Sequence, residues 1–151
     1  MPNITVPDDA TLVHISVRVR GPGVYDLGVF PSRAGETTAF RPNPLGGGAH
    51  DERPRRVVWV AHGLPKNMVL SVRSKPGQTF HPFGPKHEVA GTAAGIAQAI
   101  IPGGGCPAGP REKWSYDVFL FKDQAAANAA GNGGAGALAS VDPDVDFHPD
   151  P

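Results

Sequence analysis

Apolar and polar residues alternate along several stretches of the chain, and the alternation predicts strands. Over residues 12–20, Val13, Ile15, Val17 and Val19 fall on one face while His14, Ser16, Arg18 and Arg20 fall on the other. That is the pattern of a strand with one buried and one wet side. Residues 57–60 are apolar on both faces, as in a strand enclosed by a sandwich, and residues 68–73 group Met68, Leu70 and Val72. Over residues 113–121, Trp114, Tyr116, Val118 and Leu120 oppose Ser115, Asp117, Phe119 and Phe121. A short closing strand sets Val145 and Phe147 against Asp144, Asp146 and His148. Weaker patterning at residues 24–30 and 36–40, bounded by Gly or Pro, gives two more strands.

Helical patterning is nearly absent. Residues 91–101 read equally as a short helix, a loop or an edge strand. Residues 125–130 are alanine-rich but run into Gly131-Asn132-Gly133-Gly134, which stops a helix. Many short strands without alternating helices predict a sandwich or barrel. No internal repeat is present. The stretch 74–112 is too long for a structureless connector, so it hides a strand or folds over one end of the sandwich.

Composition narrows the picture. A chain of 151 residues fits one domain and buries a core without disulfides. Gly (20) and Pro (17) collect between the apolar segments, where turns and long loops need them. Lys plus Arg and Asp plus Glu both number 14, a balance that argues against a nucleic-acid partner. The basic run Arg53-Pro54-Arg55-Arg56 follows Asp51 and Glu52 and reads as a solvated loop. The N-terminal residues lack the basic and apolar regions of a signal peptide, no segment is apolar enough to span a bilayer, and Cys106 is the only cysteine. A cytoplasmic protein without membrane contact is the expectation.

Three phrases in the second half of the chain resemble the cupredoxin-like sandwich. They are the strand-turn-strand Val57-Val58-Trp59-Val60 to Leu64-Pro65-Lys66-Asn67-Met68-Val69-Leu70, the aromatic strand Trp114-Ser115-Tyr116-Asp117-Val118, and the ending Val141-Asp142-Pro143-Asp144-Val145. In copper-binding members of that family a His, a Cys-x-x-His and a Met supply the ligands. The positions that the resemblance matches to His, Cys and His read Lys66, Val118 and Phe121 here, with no Met in the loop that follows. The resemblance therefore implies the fold and argues against its copper chemistry.

Other motifs carry less. His81, His87 and Cys106 offer nitrogen and sulfur donors for zinc or copper, but His-x5-His is not an established ligand spacing. Asp142, Asp144 and Asp146 open like a calcium loop, yet Phe147 takes the place of the turn glycine. Gly131-x-Gly133-x-x-Gly136 matches the dinucleotide fingerprint without the strand and helix that give it meaning. Gly103-Gly104-Gly105 lacks the Lys-Ser/Thr of a phosphate loop. Cys106 has no base beside it in sequence, so a hydrolase built on it has no visible activation.

The expectation is a single domain over residues 1–151, all-β, an antiparallel Greek-key sandwich of cupredoxin-like type with long Gly/Pro-rich loops. It is expected to bind no metal or other cofactor and to act as a non-enzymatic binding or structural module. The expected partner is a protein or a second copy, with Phe119 and Phe121 as interaction residues should both face outward. The alternative is a copper-binding, electron-transfer protein with a rearranged site at His81, His87 and Cys106.

Overall fold

The alternation at the start of the chain becomes β1 (Ala10–Gly21), folded back on β2 (Val24–Arg33) through a Pro22-Gly23 turn. Gly23 takes φ +71°, the left-handed value that a turn with Pro before Gly requires. Opposite Val19 and Gly21 the pairing shifts register, leaving Arg20 as the extra residue of a bulge. This computed structural model describes residues 10–33, 56–77, 86–93, 95, 98–105, 112–142 and 144–147. The strand expected at 36–40 and the basic residues Arg53 and Arg55 lie outside that set.

The later strands are β3 (Arg56–His62), β4 (Val69–Ser74), β5 (Lys86–Ala90), β6 (Gln98–Gly105), β7 (Glu112–Phe121), β8 (Ala139–Val141) and β9 (Asp144–Phe147). A short helix, α1 (Gln124–Ala129), separates β7 from β8. The order in one sheet is β2-β1-β3-β6 and in the other β5-β4-β7-β8, with β9 pairing the start of β7. At the open sides β5 lies beside β6 and β2 beside β8. The protein is all-β and its sheets are mostly antiparallel, with one correction to the sequence expectation. β1 and β3 run parallel, because β2 ends at Arg33 beside Thr11 and β3 begins at Arg56 beside Ala10, both at the starting end of β1.

The core lies between the sheets. Val13, Ile15 and Trp59 from one sheet meet Leu70, Tyr116 and Val118 from the other, all buried. Each such large apolar side chain contributes about 1.5–3 kcal/mol by leaving water. The Trp59 indole N–H donates to the Tyr116 hydroxyl at 3.1 Å, so the polar tips of both rings are satisfied inside the core. The stretch 74–112 holds two strands, β5 and β6, that its Gly and Pro residues disguised.

The outer face of the second sheet is covered as well. Asp123 caps α1, its carboxylate accepting from the Ala126 N–H at 2.8 Å. Ala127 packs on Val69 and Phe121. Residues 130–138 then cross Phe119, so closely that a Cβ at Gly134 would overlap its ring.

Candidate functional site

The aromatic residues expected to be exposed are covered instead. Phe121 is fully buried beneath α1, and Phe119 is half-buried beneath the loop at Gly134. The aromatic patch expected from the sequence is therefore corrected: α1 and the loop cover that face of the sheet. His87 sits on β5 opposite Val72, its ring 6.4 Å from the Trp59 ring at an interplanar angle of 22°. It packs at the margin of the core. His81 and Cys106 lie outside the described residues.

The positions that the resemblance matches to copper ligands do not fit the ion. Val118 is buried between the sheets, whereas Phe121 is buried on the opposite face of β7. Neither carries a donor atom, and Lys66 stands exposed in the β3–β4 turn. The other motifs resolve similarly. Asp142 pairs with Lys75 at 3.2 Å, and residues 131–136 form turns that leave α1 instead of leading into a helix.

The second sheet carries a buried charge instead. The guanidinium of Arg73 donates to Ser71 Oγ at 2.8 Å, to Glu88 Oε1 at 2.9 Å, to the Ala127 carbonyl at 3.0 Å and to the Gly133 carbonyl. It also lies 4.8 Å over the Phe121 ring. Burial pushes the Glu88 carboxyl up, but hydrogen bonds from Gln124 and Arg73 and the charges of Lys86 and Arg73 outweigh it and hold the group below its usual value. With its donors engaged inside the fold, Arg73 anchors α1 and its following loop.

A groove opens on the first sheet, where β1 turns its polar face outward. A cavity of about 350 Å³ is lined by Arg18, Arg20, Ser16, Tyr25 and Asp26, with Ser140 of β8 closing its far side. That volume is at the small end of ligand pockets. The register explains the opening. Arg18 faces Asp26 across the β1–β2 pair, and Ser16 faces Gly28, which has no side chain to fill the space. The bulge turns Arg20 toward Asp26, and the two form an exposed ion pair. Among the described residues, two guanidiniums thus meet one carboxylate, and the hydroxyls of Ser16, Tyr25 and Ser140 add neutral hydrogen-bonding groups.

Two histidines adjoin this groove. His62, at the end of β3, is in register with Ser16, and His14 is the next outward residue along β1. His14 Nδ1 and His62 Nε2 are 2.9 Å apart, with ring centroids 5.1 Å apart and planes 29° apart. The rings meet edge to edge through these nitrogens. Burial lowers the pKa of both below the usual histidine value, and for His14 the neighbouring His62 lowers it further. Among the described residues no hydrogen bond joins Ser16 to His62, so the serine lacks the contact that activates a nucleophile.

Comparison with protein-family models, curated proteins and solved structures finds no significant match to this chain.

Sequence reasoning passed over the groove and the histidine pair because both depend on strand neighbours. The alternation identified His14, Ser16, Arg18 and Arg20 as one wet face. It gave no sign that His62 would complete that face from 48 residues away.

Proposed function

We propose that the chain is a non-enzymatic, metal-free binding module of cupredoxin-like type that holds an acidic segment of a protein partner in the Arg18 groove. The observation that carries the reading is the charge of the groove: among the described residues, Arg18 and Arg20 face a single carboxylate, Asp26. Arginine suits such a partner, because its planar fork matches a carboxylate. The site lies along β2, the edge strand of its sheet, and Gly28 leaves a path across that strand to Arg18. An extended segment lying on the edge would reach the arginine through an Asp or Glu side chain. The Greek-key part of the reading is supported by strand order. β4, β5 and β6 are successive neighbours around the sandwich, and β3 returns beside β6.

The test is fluorescence anisotropy with a labelled Glu-rich peptide and its Gln-substituted counterpart. The acidic peptide is expected to bind, with affinity falling as salt screens the charges. Arg18→Gln is expected to weaken it at least about fivefold, in line with loss of one charged hydrogen bond. Equal binding of the neutral peptide, or none of the acidic one, would count against the proposal. Light scattering separates a second copy of the chain from another protein as the partner.

A further inference from the structure

The turn that ends α1 contains an asparagine followed by a glycine, Asn132-Gly133, and both are exposed. The backbone nitrogen after an asparagine can close a five-membered ring onto the side-chain carboxamide. Glycine in that place has no Cβ to obstruct the approach or to restrict the backbone that must bend into it. Here the nitrogen is engaged. The Gly133 N–H donates to the Ala130 carbonyl at 3.1 Å, and the Gly131 N–H donates to the Asn128 carbonyl at 3.1 Å. The Gly133 carbonyl accepts from the buried Arg73 guanidinium, which also holds the Ala127 carbonyl at 3.0 Å. The reactive pair thus sits on an exposed turn tied from below to one buried cation.

We propose that Asn132 is a site of spontaneous covalent modification, deamidation through a cyclic imide, and that Arg73 sets its rate by holding the turn shut. The step needs only water. The Gly133 nitrogen loses its proton to solvent base and adds to Cγ of Asn132. The N–Cγ bond forms, the Cγ–Nδ2 bond breaks, and the amide nitrogen takes a proton from solvent and leaves as ammonia. Water then opens the imide at either carbonyl, giving aspartate or isoaspartate at position 132. The groove on the first sheet takes no part in this chemistry.

Attack requires the Gly133 N–H to leave Ala130 and the chain to rotate, so the reaction proceeds from a locally opened turn. Opening pulls the Gly133 carbonyl off Arg73 and leaves a donor of a buried charge unpaired, which is costly. That cost protects Asn132. Isoaspartate acts in the opposite sense. It places one extra carbon in the backbone before Gly133, which displaces the Gly133 carbonyl from Arg73 and Gly134 from its close seat on the Phe119 ring. The modification therefore keeps the turn open once it is made.

The experiment incubates the full chain at pH 8 and follows Asn132 by peptide mapping and mass spectrometry, with a synthetic peptide of residues 129–136 as the unfolded reference. The intact protein is expected to gain the amide-to-acid mass at Asn132, more slowly than the peptide. Arg73→Met is expected to raise the rate at least about fivefold, in line with loss of one hydrogen bond to a charged group. Gly133 is not among the glycines with positive φ, and a Cβ there would stand 3.7 Å from the Ala130 oxygen, so alanine fits. Gly133→Ala should slow the reaction about three- to fivefold by stiffening the backbone. Gly91→Ala strains the fold at Pro65 instead and should leave the rate unchanged, which separates the hold of Arg73 on the turn from a general loss of stability. The isoaspartyl form, isolated by ion exchange, should lose amide protection over residues 130–134. No mass gain at Asn132 in either the intact chain or Arg73→Met, while the peptide reacts, would overturn the proposal. Reaction of the intact chain at the rate of the peptide, or equal acceleration by Gly91→Ala and Arg73→Met, would overturn the role of Arg73.

Discussion

Replacing Arg73 by Met tests whether one buried cation holds α1 on the sandwich. The guanidinium is 1% exposed and its Glu88 partner 18%. Met keeps much of the side-chain volume over Phe121 and removes every donor. The variant loses the ion pair at 2.9 Å and leaves the Ala127 and Gly133 carbonyls without the guanidinium. Removing one partner of a buried pair costs about 3–5 kcal/mol. Part of that is recovered. Glu88 keeps its hydrogen bond from Gln124 at 3.0 Å, and a thioether on an aromatic ring returns about 0.3–1.5 kcal/mol. The expected net loss is about 2–4 kcal/mol.

Urea unfolding followed by tryptophan fluorescence measures that loss, and amide hydrogen exchange locates it. Protection should fall first in α1 and residues 130–134, whose carbonyls the guanidinium holds. Arg73→Lys is expected to fall between the two, because a single ammonium cannot reproduce the fork that reaches both carbonyls. The pH dependence adds an independent reading. Glu88 is held below its unfolded value, so its stabilisation is present above pH 4.5 and disappears as pH falls through the lowered folded value. Arg73 supplies part of that lowering, so Arg73→Met should make the acid limb shallower. A loss under about 0.5 kcal/mol, the level of an ordinary surface change, with α1 protection intact, would refute the anchoring role.

Two further outcomes follow from single contacts. A Cβ at Gly91 would run into the Pro65 carbonyl oxygen and lie 2.8 Å from its carbon. Since Gly91 also exchanges hydrogen bonds with the Asn67–Met68 turn at 3.1 and 2.8 Å, Gly91→Ala should cost about 1–3 kcal/mol in urea unfolding. His14 and His62 have folded pKa values lowered from 6.5, so the unfolded chain binds more protons just below that pH. Stability should fall as pH drops from 6.5 toward the folded values, by less than the limiting roughly 1.4 kcal/mol per unit per group because the rings are half exposed. A thermal-denaturation series across pH 5–8 should show a smaller decline in His14→Gln.

The strands that could be read from the chain are those whose two faces differ in polarity or are both apolar. β1, β3, β4 and β7 satisfy that condition, so period-two patterning located them to within a few residues. β5 and β6 were hidden because Lys86–Ala90 is too short to show a period and Gln98–Gly105 ends in Pro and three glycines. α1 was obscured by the glycines after it, although these end a helix without forbidding one. Its real signal was Asp123, a capping residue one place before Gln124.

The candidate site was harder to read for a physical reason. The sequence shows Arg73 as one polar residue on a strand that otherwise looks half-buried, which ordinarily means solvent. What makes it an anchor is α1, which packs over Phe121 and whose Ala127 lies 54 residues beyond Arg73 in the chain. The same logic governs the first sheet. Arg18 and Arg20 look like a wet strand face until the register places Gly28 beside Ser16 and His62 on its other side. Polar residues on the two sheets thus have opposite fates from similar local patterns. On the second sheet a helix and loop consume the charge internally, and Arg73 stabilises the fold. On the first, the groove leaves two guanidiniums with one carboxylate among the described residues, and it is this imbalance that the proposed acidic partner would meet.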